Sequence, residues 1–152
     1  MFPNEILSLV KDILKKSNIE KTVVIDYSKT SDHLMHYDSK NDQINIFPTK
    51  IHELVDHIGI SIEAMVEIST CHEIGHVIDI CSNGHTYELQ LQAYKEKIEE
   101  AHRNEQYEWE SLKNIQELND HCERIAWGIG KEYVSPDRVD DYELVRRVIT
   151  SI

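Results

Sequence analysis

The sequence predicts an α+β fold in which a lead helix and a small three-stranded sheet precede a helical C-terminal half. Three observations carry this expectation. Only three prolines and five glycines punctuate 152 residues, so long helices are expected. Strand-forming runs gather between residues 22 and 47. A strongly apolar segment at 62–80 repeats its hydrophobic residues at helical spacing, and helix-periodic sequence continues beyond it to the C-terminus.

Each element has its own signal. Asn4 is the expected cap of a first helix over 5–16, where Ile6, Val10, Ile13 and Leu14 recur on one face. The β-branched run Thr22 to Tyr27 predicts a strand. His33 to Tyr37 and Gln43 to Phe47, separated by the turn-rich Asp38-Ser-Lys-Asn-Asp42, predict a hairpin. Pro48 ends the sheet, and a short helix from about Ile51 to His57 stops near Gly59. Ser61 caps the apolar helix Ile62 to Ile80, whose end Ser82-Asn83-Gly84 marks. From Thr86 to about Leu118 the sequence turns polar, which predicts a solvated helical excursion broken near Asn104. Leu118 to Val134 predicts a further helix with Leu118, Cys122, Ile125 and Ile129 on one side, and Ser135-Pro136 predicts the start of a last one carrying Val139, Tyr142, Val145 and Ile149.

Composition narrows the functional classes. With 40% hydrophobic residues, 1–152 is expected to form a single domain. Sixteen Lys and Arg against 28 Asp and Glu leave a formal charge of −12, which repels a phosphate backbone, so nucleic acid is not an expected partner. No window approaches the roughly 18 consecutive apolar residues of a membrane span, and Met1 to Val10 lacks the basic start of a signal peptide. Cys71, Cys81 and Cys122 are too few and too scattered for a disulfide framework. A cytoplasmic protein with no membrane partner is expected.

The residues that carry chemistry are His72-Glu73-Ile74-Gly75-His76. Positions four apart on a helix stack about 6 Å along its axis, so both imidazoles reach one ion from one face. Glu73 is rotated by about 100° from His72, outside the ligand pair but close enough to hold the proton of a water at that ion. Zinc suits imidazole ligands and lowers the pKa of a bound water to about 7. Glu73 is then the expected general base. Gly75 supplies the small side chain that a close helix crossing needs. His33, His36, His52 and His57 share no spacing with the motif and are expected on the surface or in hydrogen bonds. His85, Tyr87 and Tyr133 are candidates for stabilising an oxyanion, and Asp79 for orienting an imidazole.

Ile44-Asn-Ile-Phe47, the following helix, Gly59-Ile-Ser61 and Glu67-Ile-Ser-Thr-Cys-His-Glu-Ile-Gly-His-Val-Ile-Asp79 resemble the catalytic core of the zincin (HExxH) metallopeptidases, most closely the ImmA/IrrE-type intracellular branch. The resemblance covers residues 1 to 80 well and the remainder loosely. It implies a zincin-like fold, a zinc cofactor and a peptide or protein substrate, with Gln43 to Phe47 as the edge strand that pairs with an extended substrate backbone. The longer metzincin pattern needs glycine at 79 and histidine at 82, where this chain has Asp79 and Ser82, so that subclass is excluded.

In the remaining zincins a later glutamate completes the ligand set. Glu123 opens Glu-Arg-Ile-Ala-Trp127, which resembles the downstream acidic segment of the ImmA/IrrE-like chains and lies on a helix with an apolar face that can hold a ligand rigidly. Glu96, 20 residues past His76, Glu117, Asp120 and His121 are the alternatives. The expectation is a zinc peptidase with His72, His76 and Glu123 as ligands and Glu73 as base. The alternative is a zinc-binding regulatory or interaction module of the same fold without turnover.

Overall fold

The computed structural model describes residues 1–28 and 31–151. Its elements run α1 (Pro3–Lys16), β1 (Thr22–Ile25), β2 (Met35–Asp38), β3 (Gln43–Ile46), α2 (Pro48–Ile58), α3 (Ile62–Arg103), α4 (Trp109–Gly130), a 3-10 turn (Pro136–Arg138) and α5 (Val139–Thr150). The class is α+β, as the sequence predicts. The proline at position 3 opens α1 where a missing N–H is harmless, and Glu5 Oε2 accepts the N–H of Phe2 at 2.6 Å. Phe2, not Asn4, therefore holds the N-cap position. Ile6, Val10 and Leu14 are the buried face of α1.

The strands form one mixed sheet in the order β1-β3-β2. β2 and β3 make the antiparallel hairpin, with Met35 opposite Ile46 and Asp38 opposite Gln43. β1 pairs parallel to β3, with Thr22 opposite Gln43. This corrects one expectation: Gln43–Ile46 is the central strand, so both of its backbone edges are occupied and it cannot take an extended peptide. β1 and β2 are the edges. The reason lies in burial. Ile44 and Ile46 are fully buried at alternate positions, whereas β1 has no buried residue and β2 has one, Met35. Asp38 ties the hairpin turn by accepting the N–H groups of Lys40 and Asn41, both at 3.1 Å.

Pro48 starts α2 as well as ending the sheet, and Gly59, at φ 83°, closes it in the left-handed conformation. Ser61 caps α3, its Oγ accepting the N–H of Ala64 at 3.1 Å. α3 does not end at Ser82-Asn83-Gly84 but runs 42 residues to Arg103, and Asn104 is its C-cap. A mid-helix glycine costs about 1 kcal/mol relative to alanine, which side-chain packing outweighs here. Tyr87, Leu91, Tyr94 and Ile98 continue the stripe at three- and four-residue steps and are partly buried. Asn83 gives its side chain to Asp79 within the helix at 2.9 Å instead of to a cap. For the same reason α4 begins at Trp109, well before Leu118, and ends at Gly130. α3 and α4 form an antiparallel hairpin that makes the most extensive contact in the molecule.

The core joins α1, the sheet and the first half of α3 to α4 and α5. Two glycines bring α3 and α4 together. A side chain at Gly75 would collide with the backbone carbonyl of Ala126, and one at Gly130 with the carbonyl of Cys71 and the hydroxyl of Tyr142. The close crossing expected at Gly75 is present. Glu67 of α3 fastens the α4–α5 connection by accepting from Ser135 N at 3.0 Å and from its hydroxyl, with Arg138 Nε at 3.4 Å.

Candidate metal centre

The helix crossing decides what meets what. Gly75 lies between the two histidines of α3, and its partner Ala126 stands three residues, about one turn, after Glu123 on α4. The close approach therefore lowers the Glu123 carboxylate onto the histidine face. His72 Nε2 lies 3.1 Å from Glu123 Oε2, and His76 Nε2 lies 3.1 Å from Glu123 Oε1. The three side chains offer one ligand atom each within 4.8 Å of one another and could hold a metal ion.

The donor set fits zinc. A tetrahedral ion with bonds of about 2.1 Å holds neighbouring ligand atoms about 3.4 Å apart, close to the separations found. Two imidazoles and one carboxylate would leave a fourth position on a tetrahedral ion open. Electrostatics agree with a strongly coupled cluster. Burial acts to raise the pKa of Glu123, but hydrogen bonds and charge from His72 and His76 overcome it and hold the carboxyl well below the usual range. Burial acts to lower the pKa of His76, yet the hydrogen bond with Glu123 and the charges of Glu73, Glu123 and Asp79 leave it raised.

Trp127, one turn beyond Glu123, stacks on the His72 ring with centroids 4.0 Å apart and planes at 26°. Tyr142 of α5 meets Trp127 edge-on at 5.2 Å and donates its hydroxyl to the Trp127 carbonyl at 2.5 Å. Burial raises the pKa of that phenol. The three side chains are thus braced from α3 through α4 to α5, as a precise metal site would require.

Glu73 stays out of this cluster. It is 4% exposed, and its Oε2 accepts the backbone N–H of Tyr37 on β2 at 2.8 Å. This contact has no sequence signature, because the donor is a main-chain group that any residue would supply. It places the carboxylate between the histidine helix and an edge of the sheet.

Other candidates are placed elsewhere. Glu96 is exposed and accepts from Gln92 at 3.1 Å; Asp120 is exposed and accepts from Gln116 at 3.0 Å. Glu117 and His121 line a groove of about 490 Å³ between the outer parts of α3 and α4, with Asp79, Tyr87, Tyr94 and Ile125. Asp79, 2% exposed, does not hydrogen-bond an imidazole. It accepts from Asn83 at 2.9 Å and from the Tyr87 hydroxyl at 2.9 and 3.0 Å. That bond turns the Tyr87 hydroxyl away from an oxyanion role, and burial first, then Asp79, raises its pKa. His52 contacts the Met1 carbonyl at 3.2 Å, and the rings of His33 and His36 lie 5.1 Å apart; His57 and His85 are also outside the cluster. No helix among the described residues is long and apolar enough to cross a membrane.

Comparison with known proteins adds no relative: no family model, no curated protein and no solved structure matches the chain.

Proposed function

We propose that this protein is a zinc-dependent peptidase of the zincin type, with His72, His76 and Glu123 holding the ion and Glu73 acting as general base. The observation that carries the reading is the convergence of both His Nε2 atoms on the one Glu123 carboxylate, with the intervening Glu73 left out of the ligand set. Zinc bound there supplies a water of pKa about 7 and polarises a carbonyl oxygen. Glu73 takes a proton from the attacking water on the carboxylate oxygen that Tyr37 does not engage, and returns it to the leaving amine. Tyr37 N–H fixes the orientation of the base by holding Oε2. The acidic surface, at formal charge −12, favours a peptide or protein substrate over nucleic acid, and a cytoplasmic setting belongs to the same proposal.

One feature favours the second reading, a zinc-binding regulatory or interaction module without turnover. Glu73 is almost fully buried and already hydrogen-bonded, which limits its access to water. The experiment is zinc stoichiometry together with hydrolysis of a mixed peptide library by the wild type and by Glu73→Gln. The peptidase reading expects Glu73→Gln to keep its zinc and fold while hydrolysis drops by about 10² to 10⁴. A wild type that binds zinc yet cleaves nothing in the library supports the module, and full activity in Glu73→Gln moves the base elsewhere.

A further inference from the structure

Among the described residues, three buried side-chain polar atoms have no hydrogen-bond partner in the protein: Ser69 Oγ, His72 Nδ1 and Trp127 Nε1. They are not scattered. Ser69 precedes His72 by three positions on α3, so the two are neighbours on the helix surface, and Trp127 lies stacked on the His72 ring at 4.0 Å. Ser69 is 4%, His72 9% and Trp127 2% exposed, which shields all three from bulk solvent. A buried polar group left unsatisfied costs roughly 1–3 kcal/mol, and native proteins keep few of them. One on the imidazole and two on its neighbours point to a function for that cluster.

The chemistry of the three groups identifies it. An imidazole that binds a metal through Nε2 carries its proton on Nδ1, and that proton needs an acceptor to fix the tautomer and the ring plane. Trp127 Nε1–H is a donor only and cannot accept it. Asp79, the nearby buried carboxylate, is engaged by Asn83 and Tyr87. The Ser69 hydroxyl has lone pairs to offer and is the acceptor that remains in this group. We propose that Ser69 is a positioning residue for the metal centre, its hydroxyl taking the Nδ1 proton of His72 through one ordered water, since the two atoms are not in direct hydrogen-bond contact. Ser69 thereby keeps Nε2 turned toward Glu123, while Trp127 covers the ring face. The inference rests on the metal-centre reading and adds to it a residue that touches neither metal nor substrate.

The test is zinc titration against a chromophoric chelator for wild type, Ser69→Ala, Ser69→Thr and Ser69→Val, with nitrogen-15 spectra of the histidine rings in the zinc-loaded protein. Threonine and valine match in volume and differ by the hydroxyl. Ser69→Ala and Ser69→Val should lose about 10- to 100-fold in zinc affinity, the range for a lost outer partner, while Ser69→Thr stays close to wild type. The wild-type spectrum should show His72 protonated at Nδ1 with slow solvent exchange. Equal affinity in the threonine and valine variants overturns the proposal. Should the variants fail to fold, a rapidly exchanging Nδ1 proton in the wild type overturns it equally. A wild type that takes up no zinc removes the metal-centre reading itself, a failure distinct from equal binding by all four proteins.

Discussion

The two halves of α3 are one continuous helix in two environments. Every buried residue of the helix, from Ala64 to Asp79, lies in the first half, under the sheet and against α4. Beyond residue 80 the helix runs out with the start of α4 as an arm on which Leu89, Tyr107, Trp109 and Leu112 are exposed. Both halves pair with α4, yet only the inner half brings the His72, His76 and Glu123 group together. That meeting needs the backbone-to-backbone approach at Gly75 and the brace through Trp127 and Tyr142, whereas the outer half needs only enough side-chain contact to remain helical.

Two glycines, one in each half, break this comparison most sharply. A Cβ at Gly75 has nowhere to go, because the obstacle is the Ala126 backbone and the helices must separate. Gly75→Ala should cost about 3 kcal/mol, the upper range for overpacking, and should weaken zinc binding because Glu123 moves with Ala126. At Gly84 the obstacle is the γ-methyl branch of Ile80 at 2.9 Å, on the preceding turn of the same helix, with no α4 atom in the way, and alanine gains helix propensity. Gly84→Ala should change stability by less than about 1 kcal/mol. Urea denaturation of both variants checks this, and equal losses would show that relieving the Ile80 contact inside α3 costs as much as separating α3 from α4.

The ligands sharpen the comparison next. Glu123→Ala removes a carboxylate that both histidines share and should reduce zinc affinity by 100-fold or more, beyond the roughly 10- to 100-fold of an outer partner. Glu96→Ala, on the exposed arm, should leave affinity unchanged. Chelator competition measures both. Release of zinc by Glu96→Ala with retention by Glu123→Ala would place the centre on the arm.

What was legible in the sequence follows the range of the interaction. His72, Glu73 and His76 share one helical turn and Ser61 caps its own helix, so their geometry is written in local spacing. Gly75 was legible as a crossing point because a small residue between two candidate ligands has few other uses. The meeting of Glu123 with the histidines depends on the packing of α4, and its apolar face with Ala126 and Trp127 gave the signal. Strand order was not legible: β1 pairs parallel with β3 across an intervening strand, a non-local choice made by burying Ile44 and Ile46 on the middle strand. The length of α3 was misleading because Asn83-Gly84 has the composition of a helix stop, while the stripe from Tyr87 to Ile98 that overrides it is thin and polar. The Tyr37 N–H and the orphaned Ser69 hydroxyl leave no trace in residue type.

The smallest expected effect lies at the tip of the arm. Tyr107 and Trp109 stack with centroids 5.6 Å apart and planes at 25°, but they are 83% and 72% exposed, so the pair removes little apolar surface from water. Stacking there competes with a hydrated alternative in which each ring loses almost nothing. α4 is held in register further down, by the Gly75–Ala126 and Gly130–Cys71 approaches. Trp109→Ala should therefore change stability by no more than about 0.5 kcal/mol, the range for surface substitutions, and leave zinc affinity where it was. Trp127→Ala, on the same helix, removes the ring stacked on His72 and should cost about 3–5 kcal/mol. Denaturant midpoints for the two tryptophan variants give a direct ratio between tip and centre. A loss above 1 kcal/mol for Trp109→Ala would mean that the tip is packed in solution, and that the contrast between the two halves of α3 is weaker than their burial indicates.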